Sequence, residues 1–279
     1  MKISHRPPFS RGYTPLSPRS GATADMLMEF GVIVLAPKDV WENDSQTGER
    51  VFLLGAGSAV IQWEKKSAPG GTGVFERAEI SRTNLFDASP FCLSAPPACR
   101  VRIEAGDAGA EFFYAATDNA KPFSPRLFTP EECRSEFRGE GTMLETSTRV
   151  VRTIFDDANR SESNLVIGEV IGLPGRWSSY PPHHHPQPEI YHYRFLPQGG
   201  FGLTAIGDTP YIIHDRDTIL IREGEVHPQV TAPGYAMWYL WIIRHIEGAH
   251  YGPETGTPVF VEEHKWVMGS DQAIWRPGK

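Results

Sequence analysis

Short runs of β-forming residues, separated by turn residues, constrain the fold of this chain more than any other feature. In the first half these runs occupy residues 31–35, 50–54, 58–63, 91–93, 100–104 and 110–115. A cluster rich in Gly and Ala at residues 104–109 predicts a turn between the last two runs. Because no amphipathic helical pattern lies between the runs, antiparallel strands in a sandwich or barrel are favoured over βαβ units.

The second half repeats this pattern more regularly. Its predicted strands occupy residues 149–155, 165–171, 189–195, 201–206, 210–214, 218–222, 227–231 and 235–245. The connections are short, which favours an up-and-down or jelly-roll arrangement. The two halves share no sequence repeat of fixed period, so any duplication is structural and divergent. We therefore expect an all-β protein made of two antiparallel β-barrel domains.

The domain boundaries follow from changes in composition. Residues 1–25 predict an N-terminal arm, 26–117 a first β-domain, 118–147 a connection, and 148–279 a second β-domain. Within the connection, residues 129–134 predict a short helix with Thr129 as N-cap and Pro130 at its first position. The alternative is a long loop inside one domain.

Composition and charge exclude several classes of protein. A formal net charge of −7 without a basic stripe argues against nucleic-acid binding. The longest apolar run, residues 235–243, is about half of a membrane-spanning helix, which needs about 20 residues. The N-terminus has no apolar secretory core, and three cysteines form no ligand-like pairs. We therefore expect a cytoplasmic protein with no membrane partner.

The residues with the strongest chemical signal lie at 180–193, where three consecutive histidines precede a strand-like segment. Side chains alternate between the two faces of a strand, so His183, His185 and Glu189 can point the same way. Imidazoles and a carboxylate that converge suit a divalent metal ion such as Zn, Mn or Fe. The alternatives are a tag remnant, a solvated loop, or a buried cluster without metal.

A fourth ligand is expected from elsewhere, and His227 is the natural candidate. Nine of the ten histidines lie at or after residue 183, so only the second β-domain can hold a His-rich site. His227 follows a turn at 222–225 and begins a predicted strand, which an antiparallel meander can return to the same face. The alternative is an ordinary strand histidine.

The spacing His183-x-His185-x3-Glu189, followed by Gly224-x-x-His227, resembles the two metal-binding motifs of the cupin superfamily. That resemblance implies a bicupin: two jelly-roll barrels with a short helical connection, a degenerate N-terminal cupin domain and a C-terminal cupin domain. It also implies that three histidines and one glutamate hold the metal.

A closer resemblance covers most of the chain. The segments 174–183, 189–194, 223–228 and 232–235 are similar to the 5-deoxy-glucuronate isomerases of myo-inositol catabolism, which are grouped with the 4-deoxy-5-keto-uronate isomerases. This resemblance implies a metal-dependent aldose–ketose isomerase that converts 5-deoxy-glucuronate to 2-deoxy-5-keto-gluconate.

Further site residues are predicted from parity and position. Tyr191 and Tyr193 are odd-numbered like Glu189, so their side chains should lie on the same face of the strand. They could hold substrate or relay a proton, although inward tyrosines are also common core residues. Gln229 has the parity of His227 and could bind sugar hydroxyls. Arg176 and Arg244 are candidates for the substrate carboxylate.

Three other functions stay open at this point. The chain could be a 4-deoxy-5-keto-uronate isomerase, a cupin dioxygenase that consumes oxygen, or a sugar-binding bicupin without activity. We also expect a homo-oligomer, because the N-terminal arm and the aromatic strand at 238–241 could lie at an interface.

Overall fold

The protein is built almost entirely of β-strands, and the computed structural model describes residues 1–65 and 73–278. The strands are β1 (Lys2–Ile3), β2 (Gly12–Ser17), β3 (Met28–Leu35), β4 (Val40–Asn43), β5 (Gly48–Lys65), β6 (Val74–Arg82), β7 (Cys92–Ala95), β8 (Val101–Asp118), β9 (Arg126–Phe128), β10 (Arg134–Arg138), β11 (Arg149–Phe155), β12 (Leu165–Gly172), β13 (Trp177–Ser178), β14 (His183–His184), β15 (Glu189–Leu196), β16 (Phe201–Ile206), β17 (Thr209–His214), β18 (Thr218–Ile221), β19 (Gln229–Thr231), β20 (Ala236–Arg244) and β21 (Val259–Phe260). The all-β class predicted from the sequence is confirmed.

Helices are few and short among the described residues. One α-helix, α1 (Asp157–Arg160), begins after Asp156, whose side chain accepts a hydrogen bond from the Ala158 backbone N–H at 3.0 Å. The 3-10 helices are Gly21–Met26, Met143–Glu145, Pro253–Thr255, Glu262–Met268 and Asp271–Ala273. None of the helices in the described part of the chain is long and apolar enough to span a bilayer.

The chain forms two compact units that are interleaved in sequence. The N-terminal unit comprises Pro7–Cys133 and Ile154–Leu165. The C-terminal unit comprises Met1–Arg6, Arg134–Thr153 and Val166–Lys279. The domains predicted from composition each occupy one continuous stretch of sequence, whereas these units do not. The predicted boundaries stay a prediction for functional domains.

The N-terminal unit is organised around one sheet with the order β2-β3-β8-β5-β7-β9, in which β4 pairs with β8 and β6 pairs with β5. Its core is a cluster of aromatic and aliphatic side chains from these strands, including Phe52, Phe112 and Ile61, each 1% exposed or less. No histidine occurs in the sequence of this unit. The unit therefore offers a packed apolar interior rather than a His-rich site.

Two strands of this unit are longer than the sequence pattern predicted. Residues 50–54 and 58–63 belong to the single strand β5, and the predicted turn at 104–109 is wrong because these residues continue β8. The pairing of β5 with β8 shifts register between Leu54 and Ala56 and again between Gly57 and Ala59. Gly57 and Gly109 adopt φ angles of +88° and +75°. The glycines thus mark bulges that bend paired strands, which a sequence pattern does not distinguish from turns.

The predicted helix at 129–134 is also wrong. Thr129 and Pro130 accept hydrogen bonds from the backbone N–H groups of Glu132 and Cys133, at 3.1 and 3.4 Å, and the segment forms a turn. Arg134 then enters the edge strand β10, which pairs with β11. Three-residue spacing of the hydrogen bonds gives one tight turn, and the strand pairing that follows prevents its extension.

The C-terminal unit contains three sheets, with the orders β1-β18-β15-β20-β12-β11-β10, β13-β19-β16-β17 and β14-β21. Strand β15 lies between β18 and β20, with Tyr191 opposite both Ile219 and Trp241. The first residues of the chain join this sheet, because Lys2 pairs with Ile219 and the Met1 ammonium donates to the Leu220 carbonyl at 2.8 Å.

Side chains of the C-terminal unit alternate between an interior and an outer face, as period-2 strands require. The interior cluster consists of Val151, Val170, Tyr191, Tyr193, Phe195, Ile206, Ile213, Ile219, Ile221, Met237 and Tyr239. In β15 the interior residues are therefore the odd-numbered ones. Glu189 shares their parity and is 3% exposed, so its carboxylate is buried on the interior face.

Candidate metal centre

A buried His–Glu cluster lies in the C-terminal unit, at the start of β15. One potential ligand atom from each of His185, Glu189 and His227 lies within 4.8 Å of the other two. The three side chains belong to residues that are 1–3% exposed. Strand β14 ends at His184 and β15 begins at Glu189, so His185 occupies the intervening loop. The side chains converge although no continuous strand connects His183 with Glu189.

The Nδ1 atoms of all three predicted histidine ligands are close to main-chain carbonyls. His185 Nδ1 lies 2.9 Å from the Gln187 oxygen and His227 Nδ1 lies 2.7 Å from the Glu225 oxygen. His183 Nδ1 lies 3.3 Å from the oxygen of Pro181. Since a carbonyl oxygen can only accept, each Nδ1 must carry the proton, which leaves each Nε2 with a free lone pair.

Two of these Nε2 lone pairs are directed at one carboxylate oxygen. Glu189 Oε2 lies 3.1 Å from His185 Nε2 and 3.3 Å from His227 Nε2. Burial acts to raise the pKa of Glu189, but the neighbouring His185 and His227 imidazoles outweigh it and hold the pKa at about 2. The buried His227 Nε2 finds no hydrogen-bond partner among the described residues. An ionised carboxylate beside two imidazole nitrogens is a donor set that fits a divalent cation.

His183 lies beside this cluster and is less buried. Its ring centroid is 4.7 Å from that of His227 and 6.4 Å from that of His185. Burial, with a smaller contribution from His227, lowers the pKa of His183 to about 3, so the ring stays neutral at physiological pH. A neutral imidazole is the form that binds a metal ion.

Two residues next to the histidines were not predicted from the sequence. The Phe260 ring is 5.8 Å from that of His183, because β21 pairs with β14 and places Phe260 opposite His183. The Tyr251 ring is 5.0 Å from that of His185. Both belong to the segment after β20, where no spacing or motif connects them to the histidines.

The predicted catalytic residues form a hydrogen-bonded group on the interior face. Tyr191 and Ser179 share a hydrogen bond of 3.1 Å between their hydroxyls, and the Tyr191 ring is 5.8 Å from that of His227. The Tyr193 hydroxyl donates to Gln229 Oε1 at 2.8 Å. Burial raises the pKa values of Tyr191 and Tyr193 well above 10, so both hydroxyls keep their protons. Parity thus placed these residues correctly, while their roles stay predictions.

The predicted substrate arginines occupy different surroundings. Arg176 Nη1 lies 3.3 Å from the Glu145 carboxylate, and its side chain is one-third exposed. Arg244 donates through Nη1 to the His245 carbonyl, and its backbone N–H bonds to Pro188 O at 3.0 Å. Arg194 Nη1 lies 2.5 Å from His192 Nε2 on the outer face of β15. The substrate role of Arg176 and Arg244 stays a prediction.

Comparisons with known proteins define the class and then the family. The structure resembles that of an oxalate decarboxylase from Lactobacillus farciminis, with a TM-score of 0.61 at 12% identity over 85% of this chain and 82% of that one. The antiparallel all-β architecture agrees with the cupin fold expected from the sequence. The chain belongs to the KduI/IolB family, whose sequence profile matches residues 5–267.

Individual relatives agree with this assignment. The 5-deoxy-glucuronate isomerase of Geobacillus kaustophilus is 26% identical over 265 residues, which cover 88% of this chain and 87% of that protein. The 5-deoxy-glucuronate isomerase of Bacillus licheniformis is 26% identical over 86% of this chain and 88% of its own length. The crystal structure of an IolB-like protein from Salmonella typhimurium LT2 matches with a TM-score of 0.77 at 22% identity, covering 94% of this chain and 97% of that one.

These matches confirm the family resemblance drawn from the sequence motifs. They also confirm the prediction of an enzyme in the isomerase class. The arrangement into two complete jelly-roll barrels stays a prediction, as do the identity of the metal and the roles of single residues.

Proposed function

We propose that the protein is a metal-dependent aldose–ketose isomerase that converts 5-deoxy-glucuronate to 2-deoxy-5-keto-gluconate, as a homo-oligomer in the cytoplasm. The observation that carries this proposal is the ionised Glu189 carboxylate, which lies within 3.3 Å of the Nε2 atoms of His185 and His227. The names of the curated relatives supply the substrate class.

Residues His183, His185, Glu189 and His227 would hold a divalent cation, of which Zn, Mn and Fe suit imidazole and carboxylate ligands. Such a cation supplies Lewis acidity toward the carbonyl and hydroxyl oxygens of the substrate, which favours an enediolate. The chain itself fixes the imidazoles through the three main-chain carbonyls at Nδ1. These contacts fix the orientation of the three rings and keep the Nε2 atoms of His185 and His227 close to Glu189.

The interior tyrosines would handle protons and hydroxyl groups. Tyr191 is the nearer of the two to the histidines, and its hydroxyl keeps its proton because burial raises its pKa. It can donate a hydrogen bond to a substrate oxygen while Ser179 holds its orientation. The Tyr193 hydroxyl donates to Gln229 Oε1 at 2.8 Å, which fixes both side chains on the interior face. Their role would be to orient the hydroxyl groups of the sugar.

The test is an anaerobic assay with 5-deoxy-glucuronate, followed by NMR in D2O. Aldose–ketose isomerisation transfers a proton between C2 and C1, and the metal-loaded protein should form 2-deoxy-5-keto-gluconate without oxygen. The chelator-treated protein should be inactive and recover on addition of Zn, Mn or Fe. A dioxygenase would turn over only with oxygen, a 4-deoxy-5-keto-uronate isomerase would prefer that substrate, and a binding protein would form no product. Each of these three results would contradict the proposal.

A further inference from the structure

Arg149 is a buried cation without an acidic partner. It begins β11, is 8% exposed, and shares its parity with the core residue Val151. Its Nη1 donates to the Ser147 carbonyl at 2.7 Å and to the Ser147 hydroxyl at 2.9 Å. It forms no ion pair with any residue that the structure describes. A buried guanidinium costs free energy unless an anion pairs with it, so its retention needs an explanation.

A second arginine lies directly across the strand pair. Arg138 of β10 is opposite Arg149 of β11, and residues opposite each other in antiparallel strands project from the same face. Arg138 is half-exposed and pairs with Glu136. Like charges in directly opposite positions destabilise a sheet. Glu136 offsets one of the two positive charges, so the three side chains together keep one net positive charge, which favours binding of an anion.

The two arginines are connected to the His–Glu cluster by tyrosines. Burial raises the pKa of Tyr239, while the hydrogen bond to Ser178 and the positive charge of Arg149 oppose that rise. The Tyr239 ring is 4.8 Å from that of Tyr191, which is 5.8 Å from that of His227. Arg149 thus lies on the same interior face as Tyr191 and Tyr239, near enough to Tyr239 for its charge to act on that hydroxyl.

We propose that Arg149 binds the carboxylate of the sugar acid, with Ser147 holding its Nη1 and Arg138 adding positive charge. This inference rests on the proposed function and deepens it. A hexuronate carries its aldehyde at one end of a six-carbon chain and its carboxylate at the other. A cation on the interior face that also carries Tyr191 and Tyr239, away from the His–Glu cluster, matches that arrangement. The planar guanidinium has donors on Nε and Nη2 that suit a bidentate carboxylate.

The test compares Arg149→Met and Arg149→Lys with Arg77→Met, an exposed arginine of β6 that pairs with Glu79. Arg149→Met should raise KM for 5-deoxy-glucuronate about 10- to 100-fold with kcat nearly unchanged, because it removes charge-assisted hydrogen bonds. For 5-deoxy-glucose, which carries a hydroxymethyl group in place of the carboxylate, kcat/KM should not change. Arg149→Lys should fall between Arg149→Met and the wild type, and Arg77→Met should match the wild type. An unchanged KM in Arg149→Met, or equal losses for both sugars, would overturn the inference.

Folding and binding measurements separate this inference from the proposed function. Arg149→Met should unfold at the same or a higher temperature than the wild type, because a buried unpaired charge is removed. Binding of D-glucuronate and D-glucose to the metal-loaded protein is measured by calorimetry. A wild type that does not isomerise 5-deoxy-glucuronate can still bind glucuronate more tightly than glucose. If Arg149→Met then binds the two sugars equally, only the proposed function fails. If the wild type shows no preference, the inference fails as well.

Discussion

His227 Nε2 lies 3.3 Å from Glu189 Oε2, close enough for both atoms to bind one cation. The His227 proton is on Nδ1, which contacts the Glu225 carbonyl at 2.7 Å, and the Glu189 carboxylate is ionised above a pH of about 2. Two acceptors at this distance repel each other unless a cation lies between them. A divalent cation bound by these atoms would remove that repulsion, and this expectation leads to the first two predictions.

Replacement of Glu189 should separate metal binding from stability. Glu189→Gln should lose the metal and the activity, because a neutral amide is a weaker ligand than a carboxylate. Without metal, the variant should be more stable than the metal-free wild type by about 1 kcal/mol, since its amide N–H can donate to His185 Nε2. Metal analysis and thermal unfolding with a chelator measure both effects.

The matched control is Glu169→Gln, which alters a fully buried glutamate paired with Arg152 at 3.4 Å. It should keep its metal and lose about 1–3 kcal/mol of stability, because a buried charge loses its partner. A Glu189→Gln protein that retains metal, or that is destabilised without metal as much as Glu169→Gln, would contradict the account.

The three histidines should differ in their importance for metal binding. His185 and His227 are within 4.8 Å of Glu189, whereas His183 is more exposed and lies outside that cluster. His185→Ala and His227→Ala should abolish metal binding. His183→Ala should weaken metal binding about 10- to 100-fold, which is the loss typical of a residue that supports the main ligands. Competition with a fluorescent chelator measures the affinities. Equal losses for all three variants would show that His183 moves fully into the cluster.

The bulge between β5 and β8 should be intolerant of a side chain. A Cβ at Gly57 would lie 2.2 Å from the Gly109 carbonyl oxygen, and the residue has a φ of +88°. Gly57→Ala should therefore destabilise the protein by at least ~2 kcal/mol. Gly199→Ala is the control, because a Cβ there meets no atom within 4 Å. Denaturation midpoints should fall for the first variant only, and equal midpoints would show that the bulge is adaptable.

Stability at alkaline pH should depend on Tyr114 of β8. Burial raises the pKa of Tyr114 from 10.0 to about 12, so the folded protein holds this proton where the unfolded chain releases it. The contribution is complete below pH 10 and is lost as the pH rises through 12. Tyr114→Phe should show a smaller decrease in stability between these values in unfolding measurements. An identical decrease in both proteins would assign the effect to other groups.

The sequence predicted the C-terminal strands more accurately than the N-terminal ones for a physical reason. Strands β11 and β16 have the bounds that the apolar runs indicated, because each run ends in turn residues. In β5 and β8 the glycines lie at bulges inside paired strands, and a single sequence does not reveal the pairing partner. The same holds for residues 129–134, where the pairing of the following edge strand leaves only a turn in place of the predicted helix.

The sequence located His185, Glu189 and His227, which the structure brings together, but it did not show most of their surroundings. His183, His185 and Glu189 share a short motif, and His227 follows a recognisable turn. Tyr251 and Phe260 come from the segment after β20, and only the pairing of β21 with β14 and the return of the chain after β20 bring them next to the histidines. The alternation of side chains predicted which residues face inward, whereas contacts between segments require the tertiary structure.

Anomalous diffraction from crystals loaded with Zn or Mn tests the central claim most directly. We predict one strong peak per chain, at about 2.0–2.3 Å from His185 Nε2, His227 Nε2 and a Glu189 oxygen, with His183 as the fourth ligand. A peak at another position, or no peak at this one while the histidines keep their contacts with the main-chain carbonyls, would contradict the account.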